Sequence, residues 1–229
     1  MSKNIIISGA SGGLGQDVVK KLSDLGNELY VTFGSKNAHA FDEFKNVTGQ
    51  IVDLTDSEQS LNFVNTTLEK AKTIQAGIFL VGAYAPGSLH ETDDALLEKM
   101  FSLNFFTTFH LVKPLMAHFK ANGGGQFIFV GARPALEADQ GKGNFAYALS
   151  KSLLFKMAEF INAEGKSDNI TATVIVPSTI DTPTNREAMP DADFTKWISA
   201  TDIAESIAFV LTESGQKLRE TVFKVYNNA

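Results

Sequence analysis

Residues 8–15 read SGASGGLG and join an apolar run, NIIIS, to a segment with helical spacing. Gly9, Gly13 and Gly15 stand where the backbone turns tightly and where a ligand can approach without meeting a side chain. Backbone N–H groups at the start of the following helix, aided by the helix dipole, bind phosphate groups. The stretch predicts a strand, a turn that holds the pyrophosphate of a dinucleotide, and a helix. A turn that contains glycines for steric reasons alone is the alternative.

Apolar runs of four to eight residues alternate with helical segments along the whole chain, which indicates a mostly parallel sheet. Strands are predicted at 4–8, 28–33, 49–53, 76–82, 125–131, 170–177 and 221–226. Helices are predicted at 13–25, 38–45, 57–72, 92–120, 145–164 and 201–213. Runs such as FIFV are apolar at consecutive positions, as expected where helices cover both faces of a sheet. The fold class is therefore α/β: one domain, residues 1–229, with a doubly wound, mostly parallel seven-stranded sheet (Rossmann-like) and helices on both faces.

The composition excludes several classes of protein. With 44% hydrophobic and 20% charged residues the chain is globular rather than disordered, and a net charge of −6 opposes binding to nucleic acid. The absence of cysteine excludes disulfides and thiolate metal sites, and the four histidines form no metal-ligand pattern, so no metal is predicted. No apolar run reaches the length of a membrane span, and the first residues are too briefly apolar for a signal peptide. We expect a cytoplasmic protein without a membrane partner.

A second motif, YALSK at residues 147–151, lies on a segment with helical spacing, so Tyr147 and Lys151 share one helix face. With the spacing G-x-x-x-G-x-G of the glycine turn, it resembles the short-chain dehydrogenase/reductase family. Asp53, Asn104 and the segment VIVPSTIDTP, residues 174–183, match further family positions in the expected order. The resemblance covers essentially the whole chain.

The resemblance implies an NAD(P)H-dependent oxidoreductase that transfers hydride to a small planar or carbonyl substrate. It assigns catalysis to Tyr147, Lys151 and Asn104. It assigns cofactor binding to Gly9, Ser11, Gly13, Leu14, Gly15, Asp53, Leu54, Gly82, Ala83, Tyr147, Lys151, Pro177, Thr179 and Thr182. The residues after the second strand add Ser35 and Lys36 to this set. The resemblance also implies a homodimer or homotetramer, in which the helices at 92–120 and 145–164 pair across a two-fold axis.

Tyr147 is expected to deliver a proton, and the Lys151 ammonium is expected to lower the pKa of its phenol and to bind the nicotinamide ribose. In the family, the helix around Asn104 is locally opened and supports a proton path. Each residue has a structural alternative: Tyr147 as a surface residue of its helix, Asn104 as a buried polar residue, and Asp53 as the cap of the helix that begins near Asp56.

Three stretches resemble the dihydropteridine reductase branch of the family, namely residues 80–87, 131–136 and 180–197. Val81, Gly82, Ala83 and Tyr84 replace the common N-N-A-G. The serine that usually binds a substrate carbonyl is absent, because the matching positions hold Pro134 or Gly131 and Ala132. The branch shares this lack, which favours a pteridine-like substrate. A carbonyl or 3-oxoacyl reductase and a catalytically decayed nucleotide-binding regulator are the alternatives.

Cofactor preference is predicted from the end of the second strand, where an acidic residue would bind the ribose of NAD and a cation would accommodate the phosphate of NADP. The sequence has no acid there until Asp42, and Ser35 and Lys36 lie at the turn. NADP is therefore favoured and NAD is the alternative. The dihydropteridine reductases differ, since they carry an acid at this point and prefer NADH.

The interval 178–199 is polar and interrupted by Pro183 and Pro190, so a continuous helix is not expected. Met189, Phe194 and Trp197 supply apolar surface that could close over a planar ligand. We interpret the interval as a substrate lid. A static surface loop is the alternative.

Overall fold

The computed structural model describes residues 2–34 and 39–228. The strands are β1 (Asn4–Ser8), β2 (Glu28–Phe33), β3 (Val47–Ile51), β4 (Ala76–Phe79), β5 (Gly125–Val130), β6 (Ile170–Pro177), β7 (Ile180–Asp181), β8 (Ile198–Ser199) and β9 (Val222–Val225). The helices are α1 (Gly13–Asp24), α2 (Ser57–Ala71), α3 (Asp94–Phe101), α4 (Thr107–Ala121), α5 (Ala138–Gly141), α6 (Phe145–Glu164), α7 (Pro183–Ala188) and α8 (Ala200–Val210).

Seven strands form one sheet in the order β3-β2-β1-β4-β5-β6-β9. Every neighbouring pair in it is parallel. From the centre of the sheet, β1, β2 and β3 follow one another towards one edge, and β4, β5, β6 and β9 towards the other edge. This is the doubly wound arrangement. The short strands β7 and β8 pair separately. The predicted fold class is confirmed.

Helices cover both faces of the sheet because its strands are apolar on both. One buried cluster joins the sheet to α1 and α8, through residues such as Val18, Leu22 and Ile203. The other joins it to α2, α4 and α6, through residues such as Phe63 and Leu115. All eight residues of β6 are buried, as its continuous apolar pattern requires. No helix among residues 2–34 and 39–228 is long and apolar enough to cross a bilayer.

Three predicted elements are different in the structure. The helix predicted at 92–120 is divided into α3, a wide π-type turn at Ser102–Phe106, and α4. Residues 39–43 of the helix predicted at 38–45 form turns instead, and Ala38 lies outside the described residues. The strand predicted at 49–53 is β3, which begins at Val47 and ends at Ile51. The remaining elements begin and end within a few residues of their predicted positions.

The carboxyl ends of the parallel strands meet at one edge of the sheet. Strand order reverses between β1 and β4, and such a reversal opens a crevice outside the carboxyl ends of the strands. The glycine turn follows β1, Gly82 follows β4, Ala132 follows β5 and the lid segment follows β6. Topology alone therefore gathers most of the predicted site residues.

Candidate active site

The turn after β1 is built around Gly9 and Gly15. Gly9 has φ of +72°, and a Cβ there would lie 3.0 Å from the Val81 nitrogen. A Cβ at Gly15 would lie 2.2 Å from the carbonyl oxygen of Gly9. The turn itself therefore requires both glycines, so the steric alternative holds for these two positions. Gly13 is different, because a Cβ there would meet the Thr182 methyl carbon at 2.8 Å, on the lid segment.

The start of α1 carries no side-chain cap, since Gly12 occupies the cap position and the first turn holds no acidic residue. Its first N–H groups thus keep their capacity to bind an anion, which is the condition that a pyrophosphate site needs. Ser11 is half-buried and Gly13 is exposed, whereas Leu14 is buried in the core. The residues present fit a dinucleotide, with Leu14 restricted to backbone contacts.

Asp53 and Leu54 follow β3 at the far side of the crevice. Asp53 is exposed, and its Oδ1 accepts hydrogen bonds from the Thr55 nitrogen at 2.9 Å and the Thr55 hydroxyl at 2.6 Å. Helix α2 is capped by Asp56, whose Oδ1 accepts from the nitrogens of Glu58 and Gln59, so the capping role considered for Asp53 is wrong. Leu54 is buried. Ser35 and Lys36 lie outside the described residues.

Asn104 lies in the wide turn between α3 and α4 and is fully buried. Its Oδ1 accepts from the Ala83 nitrogen at 2.7 Å, and its Nδ2 donates to the Ala83 oxygen at 3.0 Å and the Ser150 hydroxyl at 2.9 Å. Ser150 in turn donates to the Tyr147 carbonyl at 2.8 Å. Asn104 therefore joins the loop after β4 to the helix that carries Tyr147.

Lys151 is buried beside this network. Its Nζ donates to the Val130 carbonyl at 2.9 Å, and burial lowers its pKa to about 8. A Cβ at Gly82 would lie 2.9 Å from this Nζ and 2.8 Å from Asn104 Oδ1. Gly82 thus provides the space in which the Lys151 and Asn104 side chains approach each other.

Tyr147 is half-buried, and the ring of Tyr84 lies edge-on to it with 5.2 Å between centroids. Burial raises the pKa of Tyr147 to about 12, with Tyr84 adding to the rise. The lowered pKa expected from Lys151 is therefore wrong for this arrangement, because the Lys151 ammonium is directed at a backbone carbonyl. The phenol therefore keeps its proton at neutral pH.

Gly131 is one of the positions matched to the usual serine, and it has no space for a side chain. A Cβ there would lie 2.8 Å from the Phe155 ring and 2.9 Å from Val174. Ala132 follows and is buried. Sequence reasoning did not single out Ser150, which is adjacent to Lys151 in YALSK. Its place between Tyr147 and Lys151 in that motif is the sequence feature that could have indicated it.

The lid segment contains β7 and α7, and its Thr182 lies against Gly13 of the glycine turn. Pro177 ends β6, the Thr179 carbonyl accepts from the Ile198 nitrogen at 3.0 Å, and the Thr182 hydroxyl caps α7. Trp197 is buried, and its ring lies 4.7 Å from that of Phe194. Among the described residues no group of acidic and histidine side chains is arranged to hold a metal ion.

Comparison with known proteins gives a consistent result. The sequence model described as short chain dehydrogenase matches residues 3–193. The chain is 31% identical over 218 residues to dihydropteridine reductase of Dictyostelium discoideum, covering 90% of this chain and 87% of that protein. It is 26% identical over 187 residues to the 3-oxoacyl-acyl-carrier-protein reductase MabA of Mycobacterium tuberculosis, covering 81% and 72%.

Solved structures share the fold. ElxO with NADP bound superposes with a TM-score of 0.89 at 19% identity and covers 98% of this chain and 97% of that one. A short-chain dehydrogenase/reductase from Serratia marcescens superposes with a TM-score of 0.89 at 21% identity, covering 99% and 98%.

Proposed function

Because the chain belongs to the short chain dehydrogenase family, we propose that it is an NADPH-dependent reductase that transfers hydride to a small planar substrate. One observation carries the proposal. At the carboxyl edge of the sheet, Asn104 is hydrogen-bonded through Ser150 to the backbone of Tyr147, and the buried amine of Lys151 lies beside this network, near a helix start that no side chain caps. A protein that only binds nucleotide has no need of an acid and a buried lysine in this position.

Tyr147, Lys151 and Asn104 each have a different role in the proposed reaction. The nicotinamide, when bound, supplies the hydride. Tyr147 holds the proton at its hydroxyl, since its raised pKa of about 12 keeps the phenol neutral until it donates to the substrate. Lys151 contributes a buried amine near the cofactor ribose, and Asn104 fixes the loop that carries Gly82 and Ala83. The remaining cofactor contacts are proposed at the positions that the sequence predicts.

We favour NADP over NAD as the cofactor. The support comes from the sequence: Ser35 and the cation Lys36 follow the residues of β2, and no acidic residue occurs there until Asp42. The fold neighbour ElxO carries NADP in its solved structure. NAD is the alternative, and comparison of the two nucleotides in the same assay distinguishes them.

A planar, pteridine-like substrate is favoured by two features. Tyr84 is exposed beside Tyr147 and offers an aromatic surface, and no serine stands at the positions that would orient a carbonyl. The similarity to the Dictyostelium dihydropteridine reductase points the same way. The similarity to MabA keeps a carbonyl or 3-oxoacyl reductase as the second candidate.

Three further properties belong to this proposal. Residues 178–199 act as a lid over the substrate.

The chain assembles as a homodimer or homotetramer through α4 and α6, whose exposed phenylalanines leave an apolar face. A chain without cysteine suits a reducing compartment, and we place it in the cytoplasm.

The test is a turnover assay of the purified protein with NADPH and with NADH, in which nicotinamide absorbance is followed. The acceptors are quinonoid dihydropterin, quinones, small ketones and a 3-oxoacyl thioester. We expect oxidation of NADPH with a planar acceptor and a lower rate with NADH. Binding of NADPH without turnover of any acceptor would contradict the proposal and favour the nucleotide-binding regulator.

A further inference from the structure

A charged cluster lies at the same edge of the sheet as Tyr147 but outside the YALSK and glycine motifs. Arg133 follows β5 and Tyr226 follows β9, and these strands pair with β6 on its two sides. The cluster therefore spans the carboxyl end of β6, from which the lid departs. The Ser178 hydroxyl donates to the Tyr226 carbonyl at 2.9 Å, which joins the cluster to the start of the lid.

The guanidinium of Arg133 contacts Glu137 at one edge and the ring of Tyr226 at one face. Its Nε donates to Glu137 Oε2 at 2.9 Å, and its Cζ lies 4.8 Å from the centroid of the Tyr226 ring. The Arg133 side chain is 28% exposed. Its two Nη groups make no hydrogen bond to any residue in the described ranges 2–34 and 39–228. The cluster thus presents an oriented cation whose outer donors are unused.

Tyr226 contributes its ring rather than its hydroxyl. The hydroxyl oxygen is buried and has no hydrogen-bond partner among the residues that the structure describes. Burial raises the pKa of Tyr226, the negative charge of Glu137 raises it further and the positive charge of Arg133 lowers it. An unpaired buried hydroxyl is unfavourable. The ring of Tyr226 therefore serves as the aromatic surface against which the Arg133 guanidinium packs.

We propose that Arg133 binds the substrate directly and sets its specificity, by donating from Nη1 and Nη2 to two adjacent acceptor atoms on a planar ring, such as a carbonyl oxygen and a neighbouring ring nitrogen. The inference rests on the proposed reductase function and deepens it. Arg133 directly follows Ala132, one of the positions matched to the missing serine, so it supplies polar contact to substrate where that hydroxyl is absent. Glu137 and Tyr226 are positioning residues.

The guanidinium selects by geometry as well as by charge. Its two outer nitrogens form a planar fork that matches two adjacent acceptors, whereas an isolated ketone offers one acceptor. A solely structural role for Arg133 makes a different prediction. An ion pair between partly exposed residues four apart contributes little to stability, and its loss leaves the choice of substrate unchanged.

Two variants and one control separate these roles. Arg133→Met keeps the length of the side chain and removes the donors, and Arg133→Lys keeps the charge but not the fork. The control is Arg219→Met, at an exposed arginine near the amino end of β9. Binding is measured by calorimetry with lumazine, a planar cyclic imide, in the presence of NADP⁺. Turnover of a simple aldehyde is measured in parallel.

We expect Arg133→Met to weaken lumazine binding roughly tenfold or more and Arg133→Lys to weaken it severalfold, with Arg219→Met unchanged. The KM for the aldehyde and the affinity for NADP⁺ stay within about twofold. Tyr226→Phe keeps the ring and leaves lumazine binding and melting temperature unchanged, while Tyr226→Leu weakens binding.

The failure of this inference and the failure of the proposed function give different results. Equal lumazine affinity in the wild type and Arg133→Met, or no lumazine binding by the wild type, overturns the role of Arg133 even if NADPH is oxidised with other acceptors. Absence of NADPH oxidation with every acceptor overturns the reductase function, whatever lumazine binding shows.

Discussion

Burial shifts the pKa values of Tyr147 and Lys151 in opposite directions, because it disfavours the charged form of each. The phenol becomes a weaker acid, with a pKa of about 12, and the ammonium a stronger one, with a pKa of about 8. In both cases the neutral form is favoured. The site is therefore prepared to keep a proton on Tyr147 and to release one from Lys151 when the pH exceeds about 8.

The lowered pKa of Lys151 makes stability depend on pH. The pKa of Lys151 is about 8 in the folded state, against 10.5 as the ordinary value. Burial of the charged amine therefore costs stability at pH 8 and below, and this cost disappears as the pH rises to 10.5. The shift corresponds to about 3 kcal/mol. We expect Lys151→Met to gain up to this amount relative to the wild type at neutral pH, and the gain to disappear towards pH 10.5.

Urea unfolding of both proteins across this pH range measures the difference. Lys20→Met, at an exposed lysine of α1, is the control and should show no such dependence. A constant difference between Lys151→Met and the wild type from neutral pH to pH 10.5 would show that Lys151 keeps its proton in the folded state.

Motif spacing predicts that Tyr147 and Lys151 share one helix face, and the family resemblance predicts Asn104 in the same site; the structure brings the three residues close together. The sequence did not indicate the direction of the Tyr147 pKa shift. That direction depends on whether Lys151 Nζ faces the phenol or the Val130 carbonyl, and only the packed structure settles this. The cluster of Arg133 and Tyr226 was equally inaccessible, because its members lie 93 positions apart in the sequence.

At the level of elements, sequence periodicity could not show the wide turn at Ser102–Phe106, whereas the family resemblance implies an opened helix around Asn104. SLNFF has ordinary helical spacing, so the pattern continues through it. The amide of Asn104 instead bonds to both backbone groups of Ala83, and it reaches them from the turn. A contact with a distant loop thus accompanies the opening of the helix.

The glycine turn and the lid are in direct contact, which links two elements of the site. A Cβ at Gly13 would lie 2.8 Å from the Thr182 methyl carbon. We expect Gly13→Ala to push α7 and the lid away from the turn and to weaken NADPH binding roughly tenfold. Thr182→Ser removes the methyl group and keeps the hydroxyl that caps α7, so the double variant should recover part of the loss.

Fluorescence titration with NADPH of the wild type, both single variants and the double variant measures the coupling. Additive effects of the two substitutions would mean that the lid does not rest on the turn in solution.

At the level of the whole molecule, the sheet was the most predictable feature. β1, β2 and β6 have the predicted boundaries because their residues are largely buried and apolar. β3 was misplaced by two residues because it is an edge strand with mostly exposed side chains, and VTGQI carries little apolar signal. A strand at an edge is defined by its pairing with a neighbour more than by its own composition.

The face formed by α4 and α6 is the surface proposed for self-association. A groove of about 630 Å³ lies between the helices, lined by residues such as Phe105, Phe109, Met116 and Phe160. Phe160 is 67% exposed. A second copy of the chain would bury this apolar surface.

We expect Phe160→Glu to shift the protein to a smaller species in size-exclusion chromatography with light scattering, because a carboxylate in an apolar interface is strongly unfavourable. Leu25→Glu, at an exposed leucine following α1, is the control and should leave the mass unchanged. A wild-type protein that is monomeric at micromolar concentration would contradict the proposed assembly.

The proton donor is the central element of the account, and substitution of Tyr147 by phenylalanine tests it most directly. Phenylalanine keeps the ring against Tyr84 and removes only the hydroxyl. We expect Tyr147→Phe to lose substrate-dependent NADPH oxidation by about a hundredfold or more while NADPH binds with wild-type affinity. Wild-type turnover in this variant would contradict the assignment of Tyr147 as the acid.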